Sequence, residues 1–218
     1  MVTTIVIFTH ETRERELART VKSIRDANLY VDFISLDTGP GSPMKNRLNA
    51  MNALRNGYVG EDILVLEDDV MASINLASWL RYLHFNVHQA VCLLPMKPEF
   101  YSERTEVILR NERMRKATPS RLEVNPRLMH WWGSQALWFP PRIAEGILND
   151  ERFSVEDEKP MGPWDHAIRQ FLMGNNEEML MAFPAVFQHQ SPPSVRQRKN
   201  RRQRLAAIFD PESVPPAP

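Results

Sequence analysis

Three consecutive carboxylates, Glu67-Asp68-Asp69, stand directly after the apolar run Ile63-Leu64-Val65-Leu66. A short run rich in branched residues reads as a buried strand of an α/β sheet. Acids at its C-terminal edge lie where open α/β sheets bind their ligands. Three like charges held together repel one another and raise each other's pKa. A divalent cation relieves that repulsion, and hard carboxylate oxygens suit Mg²⁺ or Mn²⁺. The bland alternative is an acidic turn exposed to water. A further acid, Asp165, follows Gly162-Pro163-Trp164 at the start of a helix, with Pro163 at the first helical position. It is either an anion that complements the helix dipole or a general base at the rim of a site.

Other residue groups allow other chemistry. His84 and His88 are spaced i, i+4, but no second ligand cluster accompanies them, so they read as surface or capping residues. Trp131-Trp132 precede Gly133-Ser134-Gln135. Their faces stack on sugars or bases, or fill a core. Between Arg196 and Arg204 six of nine residues are basic, among them Arg196, Arg198, Lys199 and Arg201. Such a run is a polyanion contact or a solvated charged helix.

The elements that must position these residues are legible. Thr3 to Thr9 reads as a strand, residues 13–28 as a helix with Leu17, Val21 and Ile24 on one face, and Val31 to Leu36 as a second strand. Thr12 is the expected N-cap. Strand, helix, strand is a βαβ unit with a parallel pair. Neither a GxGxxG fingerprint nor a P-loop follows the first strand. A loop at 38–43 leads into a helix over 44–55 whose first turns hold Lys45, Asn46 and Asn49. A helix start of that composition meets a diphosphate through charge and its N-terminus, or is a solvated face. Further helices are expected from about residue 73 to 89, after Pro141, and from Pro163 to about Gly174. Further strands are expected at 90–96, 134–139 and 182–188. The polar stretch 99–127 gives no fold signal.

The chain has 218 residues and zero formal net charge, enough for one α/β domain with a full core and no bulk attraction for polyanions. We divide it into a domain over 1–191 and a tail over 192–218, basic at first and then Pro-rich and expected to be disordered. The single cysteine, Cys92, excludes a disulfide framework within the chain and fits a reducing, cytoplasmic setting. The first residues enter a strand without the charged and apolar regions of a signal peptide. No apolar run approaches the ~20 residues that cross a bilayer.

Leu66-Glu67-Asp68-Asp69-Val70 resembles the acidic DXD element of GT-A-fold glycosyltransferases, in its Glu-Asp-Asp variant. The order of later motifs is similar too: a Gly-Ser-x-Ala strand, a Pro-x-Asp helix start, and a His after the last strand, together spanning about Thr3 to Ser191. The resemblance implies a single GT-A-like domain with a central, mostly parallel mixed sheet flanked by helices. It implies a nucleotide sugar, UDP-linked, held by Thr9, Glu11, Asp37, Lys45, Asn46, Asn49, Glu67, Asp68, Gly133, Ser134 and Gln135. It also implies Mn²⁺ or Mg²⁺ on Asp69 and His189, and makes Asp165 the catalytic or acceptor-binding acid: as the base that activates the acceptor hydroxyl it predicts inversion, and as a group that only orients the acceptor it leaves retention open. The basic segment and Trp131-Trp132 suit an acceptor in DNA, a hydroxymethylated pyrimidine, as some viral enzymes use. A bacterial surface glycan or lipid-linked sugar is the competing acceptor. A metal-dependent nucleotidyltransferase or phosphohydrolase, and a non-enzymatic nucleic-acid-binding module, are the readings from other classes.

Overall fold

The computed structural model describes residues 3–37, 51, 54–95, 101–109, 119–131, 133, 135–153, 164–190 and 209–216. Lys45, Asn46, Asn49, Trp132, Ser134, Arg196, Arg198, Lys199 and Arg201 lie outside the described residues.

Alternation along two strands builds the whole core. In β1 (Thr3–His10), Val6 and Phe8 enter one buried cluster while Ile5 and Ile7 enter another. In β3 (Asp62–Glu67), Ile63 and Val65 join the first cluster, and Leu64 and Leu66 the second. A run that is apolar at every position therefore feeds both faces of one sheet, as a strand covered on both sides requires. Helices α1 (Glu14–Asp26) and α2 (Leu76–Asn86) supply Ile24, Leu76, Trp79, Leu80 and Leu83 to one face. Helices α4 (Pro141–Asn149) and α5 (Trp164–Gly174) supply Ile143, Ile147, Trp164, Ile168 and Leu172 to the other.

The remaining elements are β2 (Phe33–Asp37), β4 (Val70–Ala72), β5 (Ala90–Cys92), α3 (Glu103–Leu109), β6 (Arg121–Val124), β7 (Ala136–Phe139), β8 (Met179–Phe183) and β9 (Phe187–His189). Seven strands form one mixed sheet in the order β2-β1-β3-β7-β5-β8-β6. The pairings β1–β2, β1–β3 and β5–β8 are parallel, whereas β3–β7, β5–β7 and β6–β8 are antiparallel. Following these directions, β7 and β6 oppose the other five strands. The expected mixed, mostly parallel α/β sheet is the observed one. A separate pair, β4 and β9, runs antiparallel beyond the end of β3.

Four details differ from the expectations. The last expected strand, 182–188, is two strands, β8 and β9, separated by Pro184, Ala185 and Val186; proline has no N–H for a continuous ladder. The stretch without a fold signal contains α3 and β6, the latter paired with β8 at the edge of the sheet among the described residues. Thr12 does not cap α1. His10 instead accepts the Thr12 N–H at the start of a single 3-10 turn (Glu11–Arg13), and α1 follows with no side-chain cap. Finally, the end of the Pro-rich tail is not disordered. Ser213 is buried, and Trp79 Nε1 lies 3.2 Å from its carbonyl oxygen and its hydroxyl. The backbone N–H of Ile74 donates to the Pro211 carbonyl, and the Asn75 amide donates to that of Glu212. Phe209 bridges to Ala185. The carbonyls of this polar segment satisfy donors at the start of α2, which outweighs its composition.

Candidate active site at the carboxyl ends of β1 and β3

The acids sit where the sequence places them, at the carboxyl end of a buried central strand. Glu67 ends β3, and Asp68 and Asp69 form the turn into β4. They are not exposed: Asp68 retains 2% and Asp69 3% of its accessible surface. Buried carboxylates at adjacent positions need partners, and three regions of the chain supply them. Thr9, at the end of β1, donates its hydroxyl to Asp68 Oδ2 at 2.7 Å, and the His10 N–H approaches the same oxygen at 3.3 Å. Arg13, from the 3-10 turn, spreads its guanidinium across both acids: Nη1 donates to Asp68 Oδ1 at 2.7 Å and Nη2 to Asp69 Oδ2 at 2.6 Å. His189, on β9, places Nε2 3.2 Å from Asp69 Oδ2. It gets there because β9 pairs with β4 with His189 opposite Val70.

The turn backbone is held as firmly as the side chains. Thr20 Oγ1, on the buried face of α1, lies 2.7 Å from the carbonyl oxygens of both Asp68 and Val70. Gln190 donates its backbone N–H to the Asp69 carbonyl at 2.6 Å and its side-chain amide to Thr20 Oγ1 at 3.0 Å.

These contacts push the two neighbouring acids apart. Burial drives the Asp68 carboxyl up to about 6, against the opposing pull of the Arg13 charge and the Thr9 hydrogen bond. Burial also acts upward on Asp69, but there the His189 hydrogen bond and charge and the Arg13 guanidinium outweigh it and hold the group below its ordinary value. For Arg13, burial acts downward, and the charges of Asp69 and Asp68 overcome it, so the guanidinium is held firmly cationic. Two adjacent carboxyls with separated proton affinities are a frequent feature of functional sites.

The second motif converges on the first. The N–H of Glu67 donates to the Gln135 carbonyl at 2.9 Å, and Leu66 stands opposite Ala136 in the β3–β7 ladder. Two residues back, Gly133 has φ 117°, a backbone conformation that glycine adopts without strain. Its N–H donates to Asp165 Oδ2 at 3.1 Å. Asp165 occupies the first turn of α5, and Oδ1 accepts the N–H of His166. The helix start is seated by Trp164, which packs edge-on against Phe8 of β1 and against Phe153. Asp165 is thus tied through Gly133 and Gln135 to the strand that carries Glu67, Asp68 and Asp69.

Other expected residues are placed differently. Glu11 is exposed on the 3-10 turn, and Asp37 stands opposite His10 in the β1–β2 ladder. Trp131, expected to offer a stacking face, is buried among the core residues at 1% exposure. The strand that follows it lies inside the sheet, so its ring packs instead of facing a ligand. His84, expected at the surface, places Nδ1 2.8 Å from Asp62 Oδ2, a buried acid at the start of β3.

Arg13, Thr20 and Gln190 were not singled out by the sequence. Thr20 had a readable signal: it falls three residues after Leu17 and four before Ile24, on the inner face of α1, where a hydroxyl needs a partner. Arg13 had none, because a basic residue after a polar loop is the ordinary start of a solvated helix.

The donor chemistry at Asp69 and His189 fits a hard divalent ion. Asp69 Oδ1 is buried and has no hydrogen-bond partner among the described residues, and a carboxylate beside an imidazole suits Mg²⁺ or Mn²⁺. Among the described residues no three His, Cys, Asp or Glu converge as a ready cage. Mg²⁺ characteristically takes only one or two carboxylates and completes its shell with water and substrate phosphate. No helix among the described residues is long and apolar enough to cross a membrane.

No known protein-family model matches the chain, and no curated protein matches it. Solved structures align with it over most of its length at low identity. One is a glycosyltransferase involved in the glycosylation of the major capsid of PBCV-1, with 13% identity over 88% of this chain and 94% of that one, TM-score 0.46. Another is a Bacillus anthracis protein assigned as a glucose-1-phosphate thymidylyltransferase, in complex with a sucrose, with 9% identity over 86% of this chain and 89% of that one, TM-score 0.47.

Proposed function

We propose that this chain is a glycosyltransferase that moves a sugar from a nucleotide sugar to an acceptor hydroxyl. The observation that carries the reading is the convergence of four motifs far apart in sequence. Asp68-Asp69, His189, Gly133-Gln135 and Asp165 come together at the carboxyl ends of β1 and β3, the edge where open α/β sheets bind ligands. The order of these motifs resembles that of GT-A enzymes, and the fold supplies the frame such a site needs.

In this reading the nucleotide lies over the ends of β1 and β2, beside Thr9, Glu11 and Asp37, with UDP as the nucleotide. Asp69 and His189 would hold Mn²⁺ or Mg²⁺. When bound, the ion supplies positive charge that neutralises the leaving diphosphate. The chain's own residues do the rest. Glu67 and Asp68 would contact the ribose of the donor or the waters of the ion. Gly133 and Gln135 line the sugar. Two backbone N–H groups, of Gly133 and His166, fix the Asp165 carboxylate in one orientation. From there it accepts the proton of the acceptor hydroxyl as that oxygen attacks the anomeric carbon. Attack opposite the leaving group inverts the anomeric centre.

For the acceptor we favour a hydroxymethylated pyrimidine in DNA. The support is the run of six basic residues between Arg196 and Arg204, a composition that binds phosphates. The described residues on either side of it are fixed to the domain, Gln190 on Asp69 itself and Phe209 on Ala185.

The test is in two stages. Thermal shift with a panel of nucleotides and nucleotide sugars, with and without Mn²⁺, is expected to show a metal-dependent rise with UDP or a UDP-sugar. Transfer of labelled sugar to hydroxymethylated DNA follows, with unmodified DNA as control and a surface glycan as the competing acceptor. Asp165→Asn is expected to lower kcat by about 10²–10⁴-fold, the usual contribution of a positioned base, while leaving the nucleotide shift intact. No shift with any nucleotide overturns the reading.

A further inference from the structure

The guanidinium of Arg13 stands on the carboxylates that a cation would use. We infer that Arg13 is a displaceable counter-ion: it neutralises Asp68 and Asp69 in the ligand-free protein and competes with a divalent cation for them. Once displaced, it becomes a phosphate donor at the same cleft. The inference rests on the nucleotide-sugar reading of this site and adds to it a residue and an order of events.

Four observations carry it. The first is geometry: Nη1 and Nη2 take one oxygen from each acid, a fork that pulls two like charges together as a dication would. The second is incompleteness. Asp69 Oδ2 is shared between Arg13 and His189, while Asp69 Oδ1 is buried with no hydrogen-bond partner among the described residues. Leaving such an atom dry is costly, and a bound cation would satisfy it. The third is charge: among the described residues Asp68 and Asp69 share one guanidinium, and a doubly charged ion in its place would match the two carboxylates more fully. The fourth is access. Arg13 stands on a single 3-10 turn before a helix start without a side-chain cap, and its side chain is 15% exposed, so it has a way out to solvent.

An anionic cluster repels a diphosphate. Replacing Arg13 by a dication on the acids lowers the negative charge they present and frees a planar fork suited to phosphate oxygens. Cation and nucleotide then bind cooperatively, each strengthening the other by the same factor.

The test uses the full-length chain, with Arg13→Gln and Arg13→Lys as variants. Mn²⁺ binding is followed by the loss of the free-ion electron paramagnetic resonance signal, without nucleotide. UDP binding is then measured at saturating Mn²⁺. Arg13→Gln is expected to bind Mn²⁺ about tenfold or more tightly than the parent, the worth of the charge-assisted bonds it no longer has to displace. It is also expected to gain more in melting temperature from Mn²⁺ and to bind UDP less tightly. Where Arg13→Gln does not fold without metal, Arg13→Lys keeps the charge but not the fork, and tighter Mn²⁺ binding is expected of it as well.

A folded variant that binds Mn²⁺ no more tightly than the parent overturns the inference. Two outcomes separate it from the reading it rests on. If UDP-sugars stabilise the protein but removal of Arg13 leaves Mn²⁺ affinity unchanged, the counter-ion role falls and the transferase reading stands. If Mn²⁺ binding tightens but no nucleotide binds any form, the counter-ion role stands and the transferase reading falls.

Discussion

Strand β3 carries a buried carboxylate at each end, and the two ends are built differently. At its start, Asp62 is 1% exposed and meets a single ring, His84 of α2, at 2.8 Å. At its finish, Asp68 and Asp69 meet Thr9, the His10 N–H, Arg13 and His189, drawn from β1, the turn after it and β9. The first end has one acid, paired through Oδ2 with a ring on a helix already packed on the sheet, and it pins α2 to β3; its Oδ1, like Asp69 Oδ1, has no hydrogen-bond partner among the described residues. The second end has two adjacent acids on one guanidinium, and it is where β1, the turn after it and β9 meet the end of β3. A lone buried acid with one partner stabilises a fold. Adjacent buried acids with a detachable cation make a site.

Breaking each end separately tests the contrast, and the expected effects differ in size. Removing Arg13 leaves two buried carboxylates without their main counter-charge, so Arg13→Gln in metal-free buffer is expected to cost about 3–5 kcal/mol of stability, the usual cost of breaking a buried pair. Denaturant unfolding reads this directly. His84→Ala at the other end is expected to cost less, about 1–3 kcal/mol, because the ring is partly exposed, and to leave UDP and Mn²⁺ binding unchanged. Altered ligand binding in that variant would mean the two ends are not independent.

The pH dependence sharpens the comparison further. Asp68 is raised to about 6 in the folded protein, above the ordinary aspartate value of about 4. The folded state therefore holds its proton where the unfolded chain has lost it. This group's contribution to stability is full below about pH 4 and declines as pH rises through about 6. Asp69 is shifted the opposite way, so its contribution is present above the ordinary value and is lost as pH falls through its depressed one. Asp68→Asn is expected to remove the decline between about pH 4 and 6 and leave the acid limb, as followed by melting temperature against pH. Thr9→Val has the smallest expected effect, about 1 kcal/mol for one lost hydrogen bond to a carboxylate. It moves the Asp68 transition to higher pH. A Thr9→Val curve superimposable on the parent's would show that this bond does not tune Asp68.

The first βαβ unit, the helices after β4 and β7, the two-faced core and the acids at a strand end were legible in the chain. Period-two sorting follows from the alternation of side chains along a strand, so an apolar run such as 63–66 declares a doubly covered strand without any tertiary knowledge. A loop with no apolar periodicity declares nothing, which is why α3 and β6 were missed. The same holds for the docked end of the tail, whose anchoring depends on carbonyls that every sequence has. Trp131 shows a related limit: residue type gives a ring, and only the neighbouring strand decides that the ring is buried.

The sequence by itself determined that this chain makes a doubly covered α/β sheet and delivers three acids to the carboxyl end of a central strand. Only the tertiary structure decided what meets those acids. Arg13 reaches them because β1 lies beside β3 and His189 because β9 turns back on β4, while Asp165 is held on the Gly133 N–H ahead of β7, the strand beside β3. Strand order is a property of the whole sheet. Local periodicity has a range of a few residues, so the charge partners that set the chemistry of Asp68 and Asp69 are fixed by contacts that no local pattern encodes.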